Sequence, residues 1–70
     1  MKPWRSTRAR RVFAALQRNG WRVERERGSH KVLRREGWPD FVWAFHDREE
    51  IGLRMLVRIA KATGLEPDDL

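Results

Sequence analysis

His30 is the residue of this sequence whose type and setting are best suited to chemistry, because it follows a Gly28-Ser29 pair among basic residues. An imidazole can accept a proton when neutral and donate one when charged. Nearby cations could bind a phosphate and stabilise the negative charge that develops during its reaction. They are Arg25, Arg27 and Lys31. The alternative interpretation is that His30 is a polar residue that only follows a tight turn.

The other histidine, His46, is a weaker candidate for a second proton-transfer group, since histidines at strand ends more often bond the backbone. The two histidines show no His-x-x-x-His spacing, and the carboxylates cluster away from His30. We therefore expect neither a metal ion nor another cofactor. The chain also lacks cysteine, which excludes disulfides and thiolate metal ligands.

Basic residues are concentrated in the first half of the chain. The net charge is +6, but residues 1–35 contain twelve Lys or Arg and two acids, whereas residues 36–70 contain four and eight. Thirteen of the sixteen cations are Arg, which suits bidentate contacts with phosphate. This asymmetry predicts a surface that meets a polyanion, although a solvated Arg-rich surface would give the same composition. The candidate phosphate contacts are Arg8, Arg11, Arg18, Arg22 and Arg25.

The first element that must support His30 is a helix. Ser6 or Thr7 can cap this helix, which runs to about Asn19 and ends at Gly20. Its apolar residues recur at helical spacing and predict a face that packs on a core. They are Ala9, Val12, Phe13 and Leu16.

A β-hairpin then holds His30. Alternating residue types predict a strand over 21–27, Gly28-Ser29 form a two-residue turn with glycine first, and the chain returns over 30–35. In this register His30 lies opposite Arg27. Further pairs on the same face, which would also hold Trp21, are Arg25 with Val32 and Val23 with Arg34.

The rest of the chain predicts one more strand and one more helix. The strand spans 41–46, after a turn at 37–40, and the helix spans 53–63. The expected core residues are Phe41, Trp43, Leu53, Leu56, Ile59, Ala60 and Thr63. Both helices should cover one face of the three-stranded antiparallel sheet. This is an α+β fold with the α-β-β-β-α layout of double-stranded-RNA-binding domains.

Seventy residues predict a single domain over 1–70, with residues 1–5 as a flexible segment. The sequence shows neither a signal peptide nor a membrane-spanning segment, so we expect a cytoplasmic protein that does not bind membranes. Trp4 and Trp38, in a terminal segment and a turn, are the tryptophans expected to be exposed, where they could stack on bases or contact a protein.

Three stretches of the sequence together resemble the HicA, or YcfA-like, toxin family of type II toxin-antitoxin systems. Residues 16–21 are similar to the family's helix end, a Leu followed by a Gly-aromatic pair. Residues 28–30 match its central Gly-Ser-His, and residues 56–65 resemble its closing helix. The resemblance extends from Thr7 to Leu70. Departures are an unusually aromatic third strand, Ala44 in place of a frequent Pro, and Met55 in place of the usual Thr.

The resemblance implies an mRNA endoribonuclease (an mRNA interferase) in which His30 is catalytic and a HicB-type antitoxin protein is the partner. Ser29 could then orient the scissile phosphate, with Gly28, Arg27 and Lys31 beside the site. Two other interpretations remain open. One is a noncatalytic RNA-binding module with the same fold, and the other is an adaptor that binds proteins and has little affinity for RNA.

Overall fold

The computed structural model describes residues 3–70. Met1 and Lys2 lie outside the described residues, so the flexible segment expected over residues 1–5 remains a prediction. The elements in chain order are β1 (Thr7–Arg8), α1 (Ala9–Arg18), β2 (Arg22–Arg27), β3 (His30–Arg34), β4 (Phe41–Trp43), β5 (Glu50–Ile51), α2 (Leu53–Thr63) and a 3-10 turn (Pro67–Asp69). The three-stranded sheet has the order β2-β3-β4 and is antiparallel throughout. The predicted α+β layout is therefore confirmed, with one small addition.

The addition is a two-stranded sheet at the start of both helices. Thr7 pairs with Ile51 and Arg8 with Glu50. The expected cap from Ser6 or Thr7 is therefore wrong: α1 begins at Ala9, after Arg8, and no side chain caps it. Instead the first free N–H groups of α1 bond to a neighbouring loop, with the Ala9 amide donating to the Glu49 carbonyl at 2.8 Å.

The β2–β3 hairpin has the expected turn but a shifted register beyond its middle. His30 lies opposite Arg27 and Val32 opposite Arg25, as predicted. The pairing of Val23 with Arg34 is wrong, because a bulge between Val23 and Arg25 places Val23 opposite Leu33. One extra residue in a strand moves the residues before it to the other face. Trp21 consequently lies on the core side and not on the side of His30.

The core fills the space between the inner face of the sheet and both helices. Trp43 packs against Phe13 of α1 with ring centroids 5.5 Å apart. Trp21 is 2% exposed and donates its indole N–H to the Thr63 carbonyl at the end of α2, at 3.1 Å. Both helices therefore cover the same face. The buried apolar residues are Ala9, Val12, Ala15, Leu16, Trp21, Leu33, Trp43, Ile51, Leu56, Ile59 and Leu65.

Several sequence-based expectations for the outer parts of the fold are corrected. The third sheet strand ends at Trp43, so it is shorter than the predicted 41–46. Leu53, expected in the core, is 53% exposed at the start of α2. Trp4, expected to be exposed, is half-buried and packs against the core. The expected exposure of Trp38 is confirmed, since this residue is 37% exposed, and its ring also contacts that of Trp21, with 6.1 Å between centroids.

Candidate active site

His30 is the first residue of β3 and lies at the tip of the hairpin. Gly28 adopts φ +59°, whereas Ser29 does not have a positive φ, as a two-residue turn with glycine first requires. Lys31 pairs with Trp43 and Leu33 pairs with Phe41, and all four side chains lie on the core face of the sheet. Residues in a strand alternate between faces, so His30 points to the outer face of the sheet, away from the helices. Its side chain is exposed to solvent.

A concavity of about 600 Å³ surrounds His30 on this outer face. Its lining residues are Arg25, Glu26, Arg27, His30 and Val32. Within residues 3–70, no hydrogen bond and no ion pair engages the side chains of Arg25, Arg27 or His30. The two guanidinium groups are therefore available to an anionic ligand beside the imidazole. The structure thus brings together three of the predicted site residues, and we call this surface the His30 site.

The opposite end of the hairpin has a different electrostatic arrangement. Arg34 donates two hydrogen bonds of 3.0 Å to the Asp40 carboxylate and a third, of 2.9 Å, to Glu24. The hydrogen bond from Arg34 is the main cause of the lowered pKa of Asp40. Arg22, a predicted RNA contact, lies 3.7 Å from the same Glu24. Cations at this end are therefore largely neutralised by the protein itself.

The predicted contacts in β1 and α1 do not join the His30 site. Arg8 donates a hydrogen bond to the Arg48 carbonyl at 2.9 Å, and Arg18 donates one to the Asp69 carbonyl at 2.8 Å. Arg11 lines a separate concavity formed with the N-terminal residues and the C-terminus. None of the three lines the concavity around His30. Of the five predicted phosphate contacts, only Arg25 is therefore placed beside His30.

The remaining predicted residues divide between the two sides of the sheet. Gly28 and Ser29 form the turn that precedes His30. Lys31 turns toward α1, and its ammonium nitrogen lies 5.9 Å from the Phe13 ring centroid. His46 is not a strand residue; its backbone N–H bonds to the Glu49 carboxylate at 3.2 Å, and it does not line the concavity around His30.

The family assignment follows from the sequence as a whole. A model of the family described as the HicA toxin of bacterial toxin-antitoxin systems matches residues 9–65. The chain belongs to the HicA toxin family. As a HicA protein it is a toxin of a toxin-antitoxin system and has a cognate antitoxin. Neither a curated protein nor a solved structure gives a significant match.

The family match includes the whole β2–β3 hairpin and both helices of this HicA chain, but not β1 or the C-terminal 3-10 turn. His30 and the cations beside it thus belong to the part that is similar to other HicA toxins. Within residues 3–70, no helix is long and apolar enough to cross a bilayer. No three His, Asp or Glu side chains in the same part of the chain are grouped to hold a metal ion.

Sequence reasoning missed two arginines that the fold brings close to a predicted one. Arg10 and Arg48 line a concavity of about 350 Å³ together with Arg8. Arg48 lies in the acidic second half of the chain, where no polyanion contact was expected. It reaches Arg8 and Arg10 only because β5 pairs with β1. No local signal in the sequence could have revealed this cluster.

Proposed function

We propose that this HicA toxin is a metal-independent endoribonuclease of the cytoplasm that cleaves mRNA, with His30 as the proton-transfer residue. The observation that supports this proposal best is the exposed imidazole of His30 beside the unpaired guanidinium groups of Arg25 and Arg27. An anionic, solvent-accessible ligand suits this arrangement. A phosphodiester is such a ligand, and its cleavage needs both a base and positive charge.

The reaction that suits these groups uses the nucleophile that RNA itself contains. The neutral imidazole of His30 accepts the proton of the ribose 2′-hydroxyl, and the 2′-oxygen forms a bond to phosphorus. The bond from phosphorus to the 5′-oxygen breaks, and this oxygen takes a proton from the imidazolium of His30, directly or through a water molecule, which restores the neutral imidazole. Products are a 2′,3′-cyclic phosphate and a 5′-hydroxyl. Arg25 and Arg27 stabilise the negative charge of the five-coordinate phosphorus.

Ser29 and Lys31 have supporting parts in this proposal. The Ser29 hydroxyl, in the turn before His30, is close enough in sequence to bind a phosphate oxygen at the site. Lys31 faces the α1 side of the sheet, so it contacts a different part of the RNA from the scissile phosphate. We do not assign a part to His46, because it lies outside the His30 site.

The antitoxin, which we propose to be of the HicB type, blocks RNA by covering the His30 site. Such a partner needs carboxylates opposite Arg25 and Arg27, since neither cation has a carboxylate within ion-pair distance in residues 3–70 of the toxin, and only Arg25 interacts at longer range with Asp40. Antitoxin binding would then weaken with salt and compete with RNA.

The test uses purified wild-type and His30→Ala protein with a defined single-stranded RNA in EDTA, followed by analysis of the product ends. We expect wild type alone to cut, leaving cyclic phosphate, and the variant to lose about a hundredfold or more in rate. A 2′-deoxy or 2′-O-methyl substrate should resist. The control variant His46→Ala, which lacks the other histidine, should cut like wild type.

Two results would overturn the proposal, and a third would change the residues assigned to the reaction. Cleavage of DNA or of 2′-O-methyl RNA would exclude the 2′-hydroxyl as the nucleophile. Equal RNA binding by wild type and His30→Ala, with no cleavage by either, would instead identify a noncatalytic RNA-binding module. Loss of activity in both His30→Ala and His46→Ala would move the second histidine into the site.

A further inference from the structure

A second groove lies on the helix side of the sheet, next to Lys31. Its volume is about 370 Å³. The lining residues are Arg10, Phe13, Ala14, Gln17, Lys31, Trp43 and Asp47. We call it the α1 groove. It shares Arg10 with the concavity lined by Arg8, Arg10 and Arg48, so the two concavities are neighbours at the start of α1, and we call them together the track.

The floor and rim of the α1 groove differ in chemistry. Its floor is apolar, formed by the half-buried Phe13 packed on Trp43 with 5.5 Å between centroids. Two cations line it, Arg10 and Lys31, and within residues 3–70 neither has a carboxylate within ion-pair distance. The Lys31 ammonium lies 5.9 Å from the Phe13 ring centroid, so a base that bound on this ring would take its place and leave the ammonium to bind the phosphate. Gln17 adds an exposed amide, which can both donate and accept a hydrogen bond.

This combination is the one that a nucleotide requires. A base needs an apolar surface and a group that bonds to its edge, while its phosphate needs cations. Asp47 provides the one carboxylate of the groove, and it can accept a hydrogen bond from a base amino group. Glu50, 3.7 Å from Arg8 and well exposed, only partly offsets the three arginines farther along the track.

The track is also placed correctly relative to His30. Lys31 follows His30 in β3 and points to the opposite face, and both residues lie at the end of the sheet that carries the hairpin turn. An RNA strand that passes around this end of the sheet would contact the His30 site on one face and the α1 groove on the other.

We propose that the α1 groove binds a second nucleotide of the same single-stranded RNA, with its base on Phe13 and Gln17 and its phosphates on Arg10, Lys31 and Arg48. The proposal rests on the ribonuclease function proposed above. It assigns substrate binding, and part of the base preference, to a helix that does not contact the cleaved bond.

The test measures RNA binding in the His30→Ala background, which removes cleavage from the measurement. A labelled single-stranded RNA is titrated with protein carrying in addition Arg10→Ala, Gln17→Ala or, as a control, Arg58→Ala. Arg58 is an exposed arginine of α2 that lines neither concavity. Thermal unfolding of each variant verifies that it is folded.

We expect Arg10→Ala to weaken binding by about five- to tenfold at low salt and to reduce the salt slope by about 0.7, as one lost phosphate contact predicts. Gln17→Ala should change the preference among homopolymers and leave the salt slope unchanged. Arg58→Ala should alter affinity by less than about twofold. Equal losses in Arg10→Ala and Arg58→Ala would overturn the proposal, because only a general charge effect would then remain.

Two further measurements separate this proposal from the one on which it rests. With His30 intact, Arg10→Ala should slow cleavage of a long single-stranded RNA at low substrate concentration by about five- to tenfold, whereas Arg58→Ala should leave that rate unchanged. If wild type cuts no RNA at all, the ribonuclease proposal fails, but the binding data still show whether the α1 groove binds RNA. If Arg10→Ala weakens binding of the antitoxin but not of RNA, the groove is a protein contact and the proposal is wrong.

Discussion

The two ends of the β2–β3 hairpin contain similar side chains in different electrostatic settings. At the turn, Arg25 and Arg27 lie beside His30 without an ion-pair partner in residues 3–70. At the far end, Arg34 is held by three hydrogen bonds to Asp40 and Glu24. A count of arginines cannot distinguish these ends, but a phosphate can, because the guanidinium of Arg34 is already bound to carboxylates whereas those of Arg25 and Arg27 are not.

The largest expected effect comes from removing the free cations at the turn. The double change Arg25→Ala/Arg27→Ala should lower affinity for single-stranded RNA by at least about tenfold at low salt. Two lost phosphate contacts should also reduce the salt slope by about 1.4, at about 0.7 for each contact. Fluorescence titration at several salt concentrations measures both quantities.

The matched control for that experiment is Arg54→Ala/Arg58→Ala, which removes the same charge from exposed positions of α2. If this pair lowers affinity as much as the hairpin pair, net charge and not the His30 site determines binding.

A smaller effect is expected from straining the turn itself. Gly28 has φ +59°, and a Cβ there would meet no atom within 4 Å. Gly28→Ala should therefore cost only the backbone strain, about 1 kcal/mol of unfolding free energy, measurable by urea denaturation. Cleavage should fall as well, since the turn sets the position of His30.

Ser29 offers the control for stability, because it is an exposed residue of the same turn that has no positive φ. Ser29→Ala should leave stability almost unchanged, and a loss equal to that of Gly28→Ala would show that strain at Gly28 is not the cause.

Releasing the neutralised arginine should change binding in the opposite direction. The double change Glu24→Gln/Asp40→Asn removes both acids that engage Arg34. We expect RNA affinity to rise by about threefold at low salt, because a free cation joins the outer face and two negative charges leave it. An unchanged affinity would mean that RNA does not reach the far end of the hairpin.

The smallest effect concerns pH. The hydrogen bond from Arg34 holds the pKa of Asp40 below its usual range. A lowered pKa in the folded state means that this ion pair stabilises the fold above the usual carboxyl pKa, and that its contribution is lost as pH falls through the lowered value. Because both groups are exposed, the change in stability should be slight. Carboxyl NMR titration should show the shift in wild type and its absence in Arg34→Ala.

The elements of the fold could be predicted from the sequence, whereas their relative placement could be predicted only in part. Both helices, the turn at Gly28 and the pairing of His30 with Arg27 were correct because each depends on local spacing. The side on which Trp21 lies could not be predicted, since the bulge near Glu24 has no signal in a run of alternating charges. The side chain of Trp21 is held on the core side by its hydrogen bond to the Thr63 carbonyl of α2, a contact between segments far apart in the sequence.

The candidate site shows the same division. His30 and its nearest cations follow from a short motif and a two-residue turn. Arg48 could not be predicted, because its approach to Arg8 depends on a pairing between distant segments. Likewise, the cap expected from Thr7 was wrong because that residue pairs with Ile51, a contact that local propensity cannot anticipate.

That pairing of β1 with β5 has a consequence for the order in which the molecule assembles. Thr7 meets Ile51 only after a long loop has closed, so the entropy cost of this contact is higher than that of the hairpin. With only two residues in each strand, the ladder gains little in return. It should therefore be among the last parts to form. Ile51 is 1% exposed and keeps β5 on the core, whereas β1 has no fully buried residue and should open first. A protease that recognises extended chain would therefore find its earliest cleavage points in β1, while the hairpin with His30 stayed folded.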